Sequence, residues 1–261
     1  MASISEIIGA IEELAPLSFQ DDWDNSGLQV GGFEESCDKV LVCLDVTEEV
    51  VDEAVSGHYG MIVSHHPLIF TPLKSISPLT APERCIAKAL KAGITIYSAH
   101  TSLDNAPRGV NYKIASMLGV GELEWLDSKG ESGSGVVGWL PNPEDAISFL
   151  RRVKDVFKCD TLRYSFVDAP LYDRQVFRVA LCGGSGSFLL PRAVEAGADC
   201  FITGDMSYHH FFTEGILIAS IGHYESEQFT QDLLVDFLSD RFPALSVAKT
   251  KANTNPVQTL R

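Results

Sequence analysis

The chain has 261 residues, 45% of them hydrophobic and 21% charged, with a formal net charge of −15. This is the composition of a folded globule, long enough for one large domain or two small ones, and it excludes a disordered tail or a fibrous repeat. The acidic balance disfavours nucleic-acid binding, which needs clustered Lys and Arg, and no apolar run approaches the roughly 20 residues of a membrane helix.

At the start, Ile4, Ile7, Ile8, Ile11 and Leu14 recur at helical spacing. Ser3 with Glu6 forms a capping-box pattern, so an amphipathic helix that packs on the globule is expected here. Glu6, Glu12 and Glu13 interrupt the stretch and no basic segment precedes it, which distinguishes it from a signal peptide. The cysteines (Cys37, Cys43, Cys85, Cys159, Cys182 and Cys200) are scattered without a CxxC pair. They read as small buried hydrophobes of a reducing compartment, and a cytoplasmic location is expected.

Further along, one unit recurs four times. A helical stretch ends at a glycine, a short apolar run follows, and a polar, ligand-capable residue comes seven or eight positions after the glycine. Gly57 leads to His65, Gly93 to His100, Gly197 to Asp205 and Gly215 to His223. The glycine suits a left-handed helix cap, and the apolar runs suit strands buried on both faces. Helices alternating with such strands imply βαβ units, whose ligands bind beyond the carboxyl ends of the strands.

Two more strands fit, residues 39–44 ending at Asp45 and residues 176–181 ending at Cys182. The turn after the second, Gly183-Gly184-Ser185-Gly186-Ser187, either holds an anion on its backbone N–H groups or is only a tight turn; it lacks the GK[ST] ending of a phosphate-binding loop. Residues 123–135 are polar and glycine-rich. The expected organisation is therefore an α/β fold of two lobes, layered sheets flanked by helices, over residues 1–125 and 126–261, with the C-terminal segment free to pack back on the first lobe. In the second lobe a strand over 136–140, a helix over 143–157, a strand over 161–167, a long helix over 225–242 and a last strand over 244–248 are expected.

Three clusters carry chemistry. In Ser64-His65-His66-Pro67 the adjacent imidazoles point in different directions, as two neighbouring metals would require; otherwise one is a core hydrogen-bond donor and the other lies at the surface. In His100-Thr101-Ser102-Leu103-Asp104 a helical turn would put His100 and Asp104 on one face, or Asp104 is a cap. In Gly222-His223-Tyr224-Glu225-Ser226-Glu227, His223 and Glu227 can converge on one ion, while Glu225 suits the positive end of a helix dipole. Taken together, His65, His66, His223, Asp104 and Glu227 exceed the needs of one tetrahedral ion, and two divalent ions of Zn, Mn, Fe, Co or Ni fit the mixed nitrogen and oxygen donors better. His209 and His210 are either extra ligands or packing beside Phe211 and Phe212.

In order, Trp23-Asp24-Asn25-Ser26-Gly27-Leu28-Gln29-Val30-Gly31, the three clusters, Thr203-Gly204-Asp205 and Asn253-Thr254-Asn255-Pro256 resemble the NIF-three-like family, whose members are often named GTP cyclohydrolase I type 2 homologues. The resemblance covers nearly the whole chain. It implies two α/β lobes with a dinuclear metal centre at strand carboxyl ends between them, and a toroidal homohexamer. It carries the family's ligands onto His65, His66, Asp104, His223 and Glu227, and makes His100 a proton-transfer candidate or a support for the ligands. Many members have a smaller residue where Glu225 stands, so Glu225 is an added acid and a second catalytic candidate. The chain has no room for the domain that some relatives insert mid-chain. The activity implied is metal-dependent hydrolysis of a nucleotide-like or phosphate-bearing small molecule, such as ring opening of GTP. The rival expectation is a non-enzymatic metal-handling or regulatory protein. A nucleic-acid-binding ring would need a basic lining, for which the sequence offers little.

Overall fold

Apolar runs that are short and hidden on both faces are what parallel strands need, and the computed structural model places a strand at each run of the recurring unit. It describes residues 2–32, 36–165 and 170–260. They fall into two units, Met1–Leu103 with Thr230–Pro256, and Asp104–Phe229 with Val257–Arg261.

The first unit is built on a five-stranded sheet in the order Ser246–Lys249, Lys39–Cys43, Met61–Ser64, Thr95–Ser98, Gly27–Val30. The first four strands run parallel, and Gly27–Val30 closes the edge antiparallel to Thr95–Ser98. Helices Glu48–Ser56 and Ala81–Ala92 connect the parallel strands. Leu41, Ile62, Ile96, Val50 and Ile86 meet in their shared core. Each such side chain, fully buried, contributes roughly 1.5–3 kcal/mol. Thr80 and Glu83 form a reciprocal capping box, and Thr47 caps the other helix through the Val50 N–H. The N-terminal helix is Ile4–Leu14, opened by the expected Ser3–Glu6 box and buried through Ile4, Ile7, Ile8, Ile11 and Leu14.

The second unit holds a six-stranded sheet in the order Gly121–Ser128, Gly133–Asp145, Gln175–Cys182, Cys200–Thr203, Leu217–Ser220, Arg163–Tyr164. Gln175–Cys182, Cys200–Thr203 and Leu217–Ser220 are parallel. The first two strands form an antiparallel hairpin on one side, and Arg163–Tyr164 is antiparallel at the other edge. Val137, Ala180, Phe201, Ile218, Leu189 and Ala193 make its core.

Several details differ from the sequence reading. The units divide between Leu103 and Asp104, upstream of the expected 125/126 boundary, and that boundary falls inside the strand Gly121–Ser128. No residue of this strand is fully buried, so it offers no apolar run to read. The expected helix over 143–157 is Ala146–Val156, because residues up to Asp145 still belong to the hairpin and Asp145 caps the helix through the Ser148 N–H. The expected helix over 225–242 is two, His223–Glu227 and Thr230–Arg241. At the break Gln228 Nε2 donates to the Phe157 carbonyl at 2.9 Å and Phe229 packs on the Phe157 ring, before Thr230 begins the return to the first unit. The strand expected over 161–167 appears as Arg163–Tyr164, and residues 166 and 167 lie outside the described residues.

Of the recurring glycines, Gly93, Gly197 and Gly215 have positive φ. Gly57 does not: His58 takes the left-handed turn at φ +56°, and glycine is needed at 57 because the Tyr59 ring fills the space of a Cβ. Burial pushes the thiols of Cys37, Cys43, Cys85, Cys159 and Cys200 up, as expected of packing residues. Among the described residues no helix is long and apolar enough to cross a membrane.

Candidate metal centre

In the first unit the polar groups stand just past the carboxyl ends of three parallel strands: Asp45 after Lys39–Cys43, His65 and His66 after Met61–Ser64, and His100 after Thr95–Ser98. The buried His65 backbone N–H donates to the Cys43 carbonyl, and the His66 N–H to the Leu44 carbonyl; the two rings lie side by side, with centroids 4.9 Å apart and planes tilted by 48°. Ligand-capable nitrogens of His65, His66 and His100 all lie within 4.8 Å of one another.

Each ring is held by the same atom. His65 Nδ1 donates to the Ala99 carbonyl at 2.8 Å, His66 Nδ1 to Asp45 Oδ1 at 2.7 Å, and His100 Nδ1 to Asp24 Oδ1 at 2.7 Å. A proton fixed on Nδ1 leaves the Nε2 lone pair as the donor of each ring. Asp24 is itself locked, with a fully buried side chain that accepts from Ser26 Oγ, from the Thr101 N–H and from Thr101 Oγ1. Burial pushes its pKa up, but the hydrogen bonds from His100 and Thr101, with the attraction to the His100 ring, win and hold it well below the ordinary carboxylate range.

The second unit repeats the arrangement. Asp205 follows Cys200–Thr203, and His223 follows Leu217–Ser220 at the start of the helix His223–Glu227. His223 Nδ1 donates to Asp205 Oδ2 at 2.7 Å, and its Nε2 lies 3.1 Å from Glu227 Oε2, the i,i+4 pairing the spacing implied. Glu227 is buried and Asp104 half-buried, and each offers a carboxylate oxygen within 4.8 Å of the other's. Ser185 Oγ donates to the same Asp205 oxygen at 2.7 Å, so the glycine-rich turn braces this carboxylate. A Cβ at Gly184 would collide with Glu227 Oε1, which explains a glycine there. Glu225 Oε2 lies against Gly222, at the start of its own helix.

Thus His65, His66 and His100 are grouped in one unit, and Asp104, His223 and Glu227 in the other. The sequence reading named all six but gave no role to Asp24 or Asp45, and took Asp205 as a ligand candidate. These carboxylates orient the rings; their signal was an acid at a strand end or inside a quoted motif. The Ala99 carbonyl had none. His210 Nδ1 meets Ser207 Oγ at 3.2 Å and Tyr208 meets the His209 ring edge-on, so neither histidine joins a donor group described here. A donor set of imidazole nitrogens and carboxylates, each ring oriented from behind by an oxygen, could bind metal ions.

The model of one family, Duf34/NIF3 (NGG1p interacting factor 3), matches residues 2–256. The chain belongs to the Duf34/NIF3 family. Among similar relatives of this family, a Lactococcus lactis protein is 34% identical over 256 residues, covering 97% of the chain and 98% of the relative. A Streptococcus pneumoniae protein is 32% identical over 259 residues, covering 97% of each. Both bear the name GTP cyclohydrolase 1 type 2 homolog. Among solved structures, a Bacillus cereus protein related to NIF3 is 25% identical with a TM-score of 0.87, and a Staphylococcus aureus protein is 25% identical with a TM-score of 0.88; each comparison covers 99% of both chains.

Proposed function

We propose that the two donor groups share one dinuclear centre, with His65, His66, Asp104, His223 and Glu227 as its ligands, and that the protein is a metal-dependent hydrolase of a nucleotide-like or phosphate-bearing small molecule. The observation that carries this reading is the common posture of four imidazoles, each held at Nδ1 by an oxygen, with His223 Nε2 turned toward the Glu227 carboxylate. The chain itself links the groups, since His100 and Asp104 sit four residues apart across the helical turn Thr101–Asp104. The names of the relatives support a GTP-like substrate.

When bound, two such ions supply Lewis acidity to a water nucleophile and to the electrophilic centre it attacks. The residues do the rest. Glu227 and Asp104, carboxylates of low exposure, bring negative charge that offsets the cations. Asp24 keeps the His100 Nδ1 proton in place, so His100 Nε2 is positioned to hold or pass a proton. Glu225 is the second acid considered for that task, but its carboxylate lies against Gly222. A toroidal homohexamer in the cytoplasm, with Zn, Mn, Fe, Co or Ni as the metal, completes the proposal.

The test is a screen of nucleoside triphosphates and phosphoesters with metal-loaded protein, alongside Asp104→Ala. The expected result is hydrolysis by the parent chain and loss of metal and activity together in the variant. Activity that survives the loss of metal would sink the reading, and a fully loaded chain that turns over nothing would make it a metal-handling protein instead.

A further inference from the structure

Beside His100 stand two large aromatic side chains that the core does not use. Trp23 is 61% exposed and Phe70 56% exposed. Their ring centroids are 5.9 Å apart with planes tilted by 53°. Both meet the His100 imidazole edge-on, Trp23 at 5.9 Å and 76°, Phe70 at 6.3 Å and 72°. His100 in turn lies against His65 and His66, at centroid distances of 5.3 and 5.4 Å. The aromatic pair is therefore continuous with the imidazole cluster, within one unit of the chain.

Neither ring sits on a loose loop. Asp24, the next residue after Trp23, is gripped by Ser26, Thr101 and His100. Asn25 Nδ2 donates to the Ile69 carbonyl at 2.7 Å, and the Ile69 N–H donates back to Gln29 Oε1 at 3.1 Å. Gln29 Nε2 closes the loop on the Asn25 carbonyl at 2.7 Å. The segments that carry Trp23 and Phe70 are thus bonded to each other through Asn25 and Gln29. Two rigidly mounted rings left in water beside a polar cluster are costly unless something covers them.

We propose that Trp23 and Phe70 form an aromatic platform that takes a planar, π-bonded ring of the substrate and sets the reacting centre beside His100. The geometry limits how. A ring inserted between two others needs about 7–8 Å between their planes, two carbon contacts of about 3.5–4.0 Å, so the 5.9 Å pair cannot sandwich it. The ring stacks on the open face of Trp23 with its edge toward Phe70. Trp23 and Phe70 act as binding residues and take no part in bond making. This inference rests on the hydrolase reading, whose own failure would show separately as absence of turnover by fully metal-loaded protein.

The experiment compares purine and pyrimidine nucleoside 5′-monophosphates with ribose 5-phosphate, by calorimetry on metal-loaded full chain, with metal content measured on every sample. The expected result is tighter binding of the base-bearing probes by the parent chain. Trp23→Ala should weaken their binding about 5- to 150-fold, the range for loss of one stacked base, and leave ribose 5-phosphate unchanged. Trp23→Phe should keep most of the preference, and Phe70→Ala should lose part of it. Unchanged metal content across these variants is part of the prediction. The proposal is overturned if the parent chain binds ribose 5-phosphate as well as the nucleotides, or if Trp23→Ala and Phe70→Ala keep the full preference for a base.

Discussion

The Thr254 hydroxyl donates to Asp45 Oδ2 at 3.1 Å from 209 positions further along the chain. The other oxygen of Asp45 accepts from His66 Nδ1 at 2.7 Å. One carboxylate thus ties the returning C-terminal segment to an imidazole of the first donor group. Asp45→Ala is expected to weaken metal binding by about 10- to 100-fold, the usual effect of losing such a support. Thr254→Val, one bond further out, should weaken it by less. Competition against a chelator of known affinity measures both, and an unchanged Asp45→Ala variant would count against His66 as a ligand.

Gly93 and Gly184 share a left-handed backbone, φ +68° and φ +58°, but not their surroundings. A Cβ at Gly93 meets nothing within 4 Å, whereas one at Gly184 runs into Glu227 Oε1. Gly93→Ala should therefore cost only the backbone strain, about 1–2 kcal/mol, and leave metal content intact. Gly184→Ala should displace the Glu227 carboxylate and lower metal content as well. Thermal melts paired with elemental analysis separate the two, and equal metal in both variants would argue against Glu227 as a ligand.

Acid should loosen the helices at their starts. Glu83 is held below its ordinary pKa first by the Thr80 backbone N–H, and Asp145 first by the bond to Ser148. A carboxylate whose folded pKa is depressed stabilises the fold above its unfolded value, about 4 for both types. That contribution is lost as pH falls through the folded value. Glu83→Gln should therefore flatten the acid side of the stability curve while changing little at low pH. Denaturant melts between about pH 3 and pH 7 check this, and a variant curve parallel to that of the parent would contradict it.

Glu225 and Glu227, two residues apart, should behave differently. Glu227 is buried and pairs with His223 Nε2 at 3.1 Å, while the Glu225 carboxylate lies against Gly222. Glu227→Gln should lose metal, and Glu225→Gln should keep it. Elemental analysis of the two variants decides, and metal loss in Glu225→Gln alone would reverse the assignment.

Much of this was legible in the sequence because strand length fixes spacing. A glycine, a turn and a four-residue buried strand bring the next polar residue to a strand end, which is why Gly57 to His65 and Gly215 to His223 could be read. The i,i+4 pairing of His223 with Glu227 followed from helix periodicity. What escaped were features without a local signature. The strand Gly121–Ser128 carries no buried run, and the helix break at Gln228 and Phe229 is made by contacts with Phe157 in place of a glycine or proline. Asp24 meets His100 from 76 positions away, and the group that orients His65 is a backbone carbonyl, which any residue at 99 would supply.

Metal content per chain, measured on protein purified without chelator, tests the account most directly. About two equivalents of a transition metal are predicted, as a dinuclear site requires, falling in His66→Ala and His223→Ala alike. A parent chain that carries no transition metal, and takes none up when Zn, Mn, Fe, Co or Ni is supplied, would contradict it.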